Sequence, residues 1–106
     1  TDEAVAHLYD PLHPAVLRLI AQTIEAGKRA GLPVAVCGEM AGDPKLTRLL
    51  LGMGLRQFSM HPAQILEVKQ EVLRSDLAQL RRKVARLLAT DDPRRLRQGL
   101  ERLNAI

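Results

Sequence analysis

Cys37 is the residue of this chain whose type and position best suit chemistry. It is the single cysteine and ends an apolar run, VAVC at residues 34–37, which is followed by the loop sequence GEMAGD. If the run is a strand, the thiol lies at its carboxyl end, where α/β barrels place their catalytic groups. Free cysteines are also very often inert core residues, and the residues alone favour that interpretation.

Two carboxylates, Glu39 and Asp43, follow Cys37 closely and could suggest a metal site. They are better explained as a residue that orients the loop and as the N-cap of a helix that starts at Pro44. The glycines of the same loop are predicted to allow tight turns rather than to bind phosphate. The histidines have no carboxylate at ligand spacing and are predicted to be structural or exposed: His7, His13 and His61. We therefore predict no metal ligand and no cofactor-binding residue within this chain.

The elements that position Cys37 alternate between helix and strand. A helix is predicted over residues 15–30, with Gly31 as its C-terminal cap. It is followed by a strand near residues 33–37, whose last four residues are all apolar and are therefore expected to be buried on both faces. After the loop, a second helix starts at Pro44, a second strand spans residues 57–60, and a third helix begins at His61-Pro62.

Two further amphipathic helices complete the chain, one capped by Ser75 and one opened by Asp91 or Asp92 with Pro93. The order predicts an α/β fold with two βα units whose strands run parallel. Two parallel strands alone would leave open edges and an uncovered face. The pattern fits the C-terminal portion of a (β/α)₈ barrel, with the last two βα units in residues 1–74 and basic amphipathic helices in residues 75–106.

Composition bounds the function. The chain has 106 residues, 46% of them hydrophobic and 26% charged, which is typical of one small folded domain. Aromatic residues make up 2%, so base-stacking surfaces and nucleic-acid partners are not expected. No apolar run is long enough to span a bilayer, and no signal peptide is visible. We expect a soluble cytoplasmic protein without a membrane partner.

Positive charge is concentrated at the end of the chain. Residues 75–106 contain eight Lys or Arg against four Asp or Glu, whereas residues 1–74 contain eight of each. A basic helical segment could bind phosphate or an acidic partner. The simpler interpretation is that these side chains form the solvated faces of amphipathic helices.

Three blocks carry a family resemblance: LYDPLHPAVL at residues 8–17, CGEMAGD at residues 37–43, and LLGMG at residues 50–54 with FSM at residues 58–60. Together they resemble the C-terminal end of enzyme I of the bacterial sugar phosphotransferase system. The similarity runs from about Val5 to the end of the chain, is strong to Lys69 and is loose in the last two helices. Pyruvate phosphate dikinase and phosphoenolpyruvate (PEP) synthase share a similar barrel and cysteine loop and are the alternative within the family.

The resemblance implies a PEP-binding (β/α)₈ barrel with residues 34–37 and 57–60 as its seventh and eighth strands. It implies transfer of phosphate from PEP to a histidine and on to the phosphocarrier protein HPr, with Mg²⁺ as cofactor and a homodimer formed through the barrel domain. Cys37 would be the catalytic acid that protonates the pyruvate enolate. The metal carboxylates, the substrate arginines and the phosphorylated histidine of the family would precede Thr1.

Because the chain starts at Thr1 and lacks those groups, we expect it to be a piece of a longer protein that is inactive by itself. Apolar helix faces carrying Leu49, Leu50 and Ile65 are expected to be exposed and to drive association. A nitrogen-regulatory or fused enzyme I paralogue is a second possibility. A non-catalytic helical interaction module, whose basic end binds an acidic partner, is the alternative from another class.

Overall fold

The computed structural model describes residues 10–106 of the chain. His7 and the start of the block at residues 8–17 lie outside the described residues. The elements follow the chain in this order: α1 Pro14–Ala30, β1 Ala35–Cys37, α2 Glu39–Gly42, α3 Pro44–Gly52, β2 Gln57–Ser59, a 3₁₀ turn Pro62–Gln64, α4 Ile65–Leu73, α5 Leu77–Leu87 and α6 Pro93–Ala105. None of these helices is long and apolar enough to cross a membrane.

Local sequence signals account for most helix ends. A proline in the first turn opens α1, α3 and α6, where its missing N–H costs no hydrogen bond. The carboxylate of Asp43 accepts a hydrogen bond from the Lys45 N–H at 2.9 Å, which confirms the predicted cap of α3. Gly31 ends α1 in the left-handed conformation at φ 69°, also as predicted.

One predicted cap is wrong. Asp76, not Ser75, caps α5, because its carboxylate accepts the Gln79 N–H at 3.0 Å. The Ser75 hydroxyl instead donates to the Glu71 carbonyl and accepts a hydrogen bond from Arg48. The residues after Gly38, predicted as a loop, form the single helical turn of α2.

The two strands pair in parallel, with Ala35, Val36 and Cys37 opposite Gln57, Phe58 and Ser59. The central residue of each strand is half-buried and packs against the helical core, whereas the flanking residues are exposed. The first strand is thus not buried on both faces within residues 10–106, whereas the uncovered face expected of two parallel strands alone is observed. Among the described residues only one face of the sheet is covered, because the helices pack on one side.

The core is built around α3, which is buried over almost its whole length. Leu49 and Leu50 are 1% and 0% exposed, so the expectation that they form an exposed face is wrong. They pack with leucines and valines from α1, α5 and α6 in one continuous cluster. Ile65 is exposed, as expected, at 50%. The basic side chains at positions 81–83, 86, 94, 95, 97 and 102 are all exposed, as the amphipathic pattern of the last two helices predicts.

A buried cation, Arg48 of α3, lies beside this core, toward the end of α6, and is 1% exposed. Its Nη1 donates to the main-chain oxygens of Leu103 and Ile106 at 2.9 and 3.0 Å. Its Nε donates to the Ser75 hydroxyl at 3.3 Å. The guanidinium therefore joins α3 to the end of α6 and to the connection between α4 and α5, and it compensates carbonyls that a helix end leaves unpaired.

Arg74 and Glu71 extend this cluster. Arg74 donates to the main-chain carbonyl of Asn104 and to the Glu71 carboxylate, both at 2.7 Å. This hydrogen bond holds the pKa of Glu71 below its usual value of 4.5 and raises the pKa of Arg74. Burial lowers the pKa of Arg48, the nearby charge of Arg74 lowers it further, and Glu71 opposes both effects. Glu71 is thus the one described carboxylate that partly balances the two cations.

Because Glu71 is more acidic in the folded chain than when unfolded, its charge stabilises the fold at neutral pH. That contribution declines as the pH falls below about 4.5 and is lost once the pH passes the lower, folded-state pKa. We expect Glu71→Gln to lower the free energy of unfolding at pH 7 and to flatten its decline between pH 5 and 3. Glu67→Gln, an exposed site on the same helix, is the control. Urea denaturation across this pH range is the measurement, and identical profiles for the two variants would contradict the assignment.

Candidate functional site

Cys37 is the last residue of β1 and its side chain is exposed. Since β1 and β2 are parallel, the carboxyl ends of both strands meet at the same edge of the sheet, and Cys37 pairs in register with Ser59. The Gly38 N–H donates to the Ser59 carbonyl at 3.1 Å and continues the pairing by one step beyond the thiol. The backbone before and after the thiol is therefore held by hydrogen bonds to β2.

The two faces of the sheet differ in burial. Val36 and Phe58 point toward the helices, where they pack against the core. Residues alternate between faces along a strand, so Cys37 and Ser59 lie on the opposite face with Ala35 and Gln57. All four residues of that second face are exposed in this chain. The candidate site is thus at the carboxyl edge of the face that no described element covers.

Gly38 makes the sharp turn that follows the thiol. Its φ of 82° and ψ of −153° lie in a region that residues with a Cβ rarely adopt. The chain then enters α2 directly, so Glu39 begins the helical turn one residue after Gly38. The glycine is needed for backbone geometry, as predicted.

Gly42, at the end of α2, is a point of close approach between two loops. A methyl group at this position would overlap the side chain of Gln64, which belongs to the turn that follows β2. The Gln64 Oε1 also accepts the His61 N–H at 3.2 Å, so this amide is held from both sides. The segment after β1 and the turn after β2 therefore contact each other through Gly42 and Gln64.

The other predicted residues do not form a site with Cys37. Glu39 is exposed, and the carboxylate of Asp43 is engaged as a helix cap. His13 caps α1, with Nδ1 accepting the Ala15 N–H at 3.1 Å, and His61 is exposed. Within residues 10–106, no three His, Cys, Asp or Glu side chains lie close enough together to hold a metal ion. The described residues therefore do not fit a Mg²⁺ site.

The sequence does not predict two contacts of this region, that of Ser59 with Cys37 and that of Gln64 with Gly42. Ser59 lies beside Cys37 because each is the third residue of its strand and the two strands pair without an offset. The sequence alone does not give this register. Gln64 contacts the cysteine loop from a segment more than twenty positions away along the sequence. The spacing of three residues between His61 and Gln64 is that of a capping box. This spacing is the sequence feature that could have indicated an ordered position for the Gln64 side chain.

Comparison with known protein families identifies the class of protein to which this chain belongs. Residues 1–77 match the family described as PEP-utilising enzyme, PEP-binding domain. This match covers most of the chain, and the chain therefore belongs to the PEP-utilising enzymes.

Individual relatives within that class share one name. A phosphoenolpyruvate-protein phosphotransferase of Cupriavidus necator is 62% identical over 102 residues, which are 96% of this chain and 17% of the relative. A protein of the same name from Buchnera aphidicola subsp. Baizongia pistaciae is 45% identical over 86 residues, 78% of this chain and 15% of the relative. The Haemophilus influenzae protein of that name is 48% identical over 69 residues, 65% of this chain and 12% of the relative. The chain thus spans less than a fifth of the length of these relatives.

The contact between Gly42 and Gln64 generates a testable coupling. Gly42→Ala should displace the terminal amide of Gln64 and break its hydrogen bond with the His61 N–H, at a cost of about 0.5–1.5 kcal/mol in unfolding free energy. In a Gln64→Ala background the same Gly42→Ala change should cost much less, because the overlapping amide is absent. A double-mutant cycle on unfolding free energy tests this, and equal losses in both backgrounds would show that the two loops are independent.

Proposed function

We propose that this chain is the C-terminal part of the PEP-binding barrel of a phosphoenolpyruvate-protein phosphotransferase, with Cys37 as the acid that protonates the pyruvate enolate. The family match and the shared name of the three relatives support the enzyme class. The relatives' names favour this assignment over a dikinase or a PEP synthase.

The observation that carries the proposal is the position of the thiol on the sheet. Cys37 lies at the carboxyl edge and on the exposed face, opposite the face that packs on the helices. In a closed (β/α)₈ barrel, helices cover the outside of the sheet and the other face turns inward. The exposed face of β1 and β2 would then line the barrel interior, and Cys37 would point into the mouth where substrates of such barrels bind.

The reaction requires one proton at carbon. A histidine elsewhere in the full-length protein attacks the phosphorus of PEP, the bond between phosphorus and the enol oxygen breaks, and pyruvate enolate remains. The Cys37 thiol then gives its proton to the methylene carbon, which becomes the methyl group of pyruvate. The resulting thiolate recovers a proton from solvent, to which this side chain is exposed. In the reverse direction the thiolate removes a proton from the pyruvate methyl group.

The remaining parts of the reaction belong to the rest of the protein. Mg²⁺, when bound, would stabilise negative charge on the phosphate and the enolate. Its ligands are proposed outside residues 10–106, since the described residues offer no suitable cluster. The phosphocarrier protein HPr is proposed as the acceptor of the phosphoryl group in a cytoplasmic sugar phosphotransferase system. The barrel domain is proposed to form the homodimer, and the isolated 106-residue chain is proposed to be inactive.

The proposal is tested in the full-length protein by deuterium incorporation into the methyl group of pyruvate in heavy water with Mg²⁺. Cys37→Ala and Cys37→Ser should both lose the exchange, because neither a methyl group nor a weakly acidic hydroxyl can replace the thiol. Pyruvate and Mg²⁺ binding, measured by calorimetry, should stay within twofold of wild type. Exchange that persists in both variants would return Cys37 to the role of an inert residue.

A further inference from the structure

A groove between α5 and α6 is lined by several basic side chains. It has a volume of about 720 Å³, within the range of about 300–1,000 Å³ that small-molecule sites occupy. Four cationic side chains line it, Lys83 and Arg86 from α5 and Arg95 and Arg102 from α6. We call this surface the basic groove.

The cations of the basic groove are poorly neutralised. Within residues 10–106, Lys83, Arg86 and Arg102 have no carboxylate within 4 Å, and Arg95 has only Asp92 at 3.9 Å. The nearby Asp91 pairs with Arg18 of α1 instead. No Asp or Glu side chain of the described residues lines the groove itself. The described residues therefore leave most of the positive charge around the groove available to an anion that enters it.

The floor of the groove is shaped by a close helix contact. Leu87 of α5 lies directly against Gly99 of α6, and a methyl group at position 99 would overlap its side chain. The absence of a Cβ at Gly99 lets the two helices approach, so the basic side chains of both surround one floor. Thr90 adds a neutral hydroxyl at one end. No aromatic side chain lines the space, so it offers no stacking surface for a base.

We propose that the basic groove binds a small anion carrying two or more phosphate groups. Three arginines favour phosphate, because the guanidinium fork donates two parallel hydrogen bonds to phosphate oxygens. The lysine adds a point charge from the facing helix. This proposal is independent of Cys37, which lies on the strand edge and does not line the groove.

Calorimetry with inorganic triphosphate on the full-length protein tests the proposal, at 0.15 M salt and with EDTA to exclude metal-dependent phosphate binding elsewhere. Arg86→Ala/Arg102→Ala removes two groove cations. Arg82→Ala/Arg94→Ala removes two exposed cations that do not line the groove, so the net charge of both double variants is equal. We expect the groove variant to bind triphosphate at least tenfold more weakly than wild type and the control variant to bind within twofold of it.

Each other outcome overturns the assignment. Equal losses in the two double variants would show attraction by net charge alone, and no binding by wild type at millimolar triphosphate would show that the groove is only a solvated surface. A polyglutamate peptide that binds more tightly than triphosphate and depends on Arg86 and Arg102 would make the groove a docking surface for an acidic protein segment.

Discussion

The buried guanidinium of Arg48 is the interaction on which the arrangement of this chain depends. A charged group is costly to bury unless its donors are satisfied. Arg48 satisfies them with main-chain oxygens at the end of α6 and with the Ser75 hydroxyl. These partners come from segments far apart in sequence, so the charge is tolerated only when α3, α6 and the connection before α5 are assembled together. The fold is therefore specified by a polar contact as well as by apolar burial.

The position of α3 links this core to the candidate site. Its N-terminus follows α2 after the single residue Asp43, and α2 follows Gly38, so the helix that holds Arg48 also fixes the turn after Cys37. Gly42 and Gln64 join that turn to the loop after β2. Packing on the helical side thus leaves the thiol at a defined position on the uncovered side, which suits the acid role proposed for it.

Several features could be read from particular residues. Proline at the start and glycine at the end of helices depend on local backbone geometry, so α1, α3 and α6 were located well from Pro14, Gly31, Pro44 and Pro93. The family was recognisable because the three blocks around residues 8–17, 37–43 and 50–60 occur in order. The cap of α5 was misassigned because Ser75 and Asp76 are both good caps, and only the tertiary contact of Ser75 with Arg48 distinguishes them.

The sequence by itself determined the α/β order, the position of Cys37 at a strand end and the amphipathic character of the last helices, since these follow from local periodicity and turn chemistry. Tertiary structure alone decided that Leu49 and Leu50 are core residues, that Arg48 is buried, that Ser59 and Gln64 lie near the cysteine loop, and that four cations meet in one groove. Each of these depends on which face of one element meets another. These contacts are determined by packing between segments that are distant in sequence. They cannot be derived from the periodicity within a single segment.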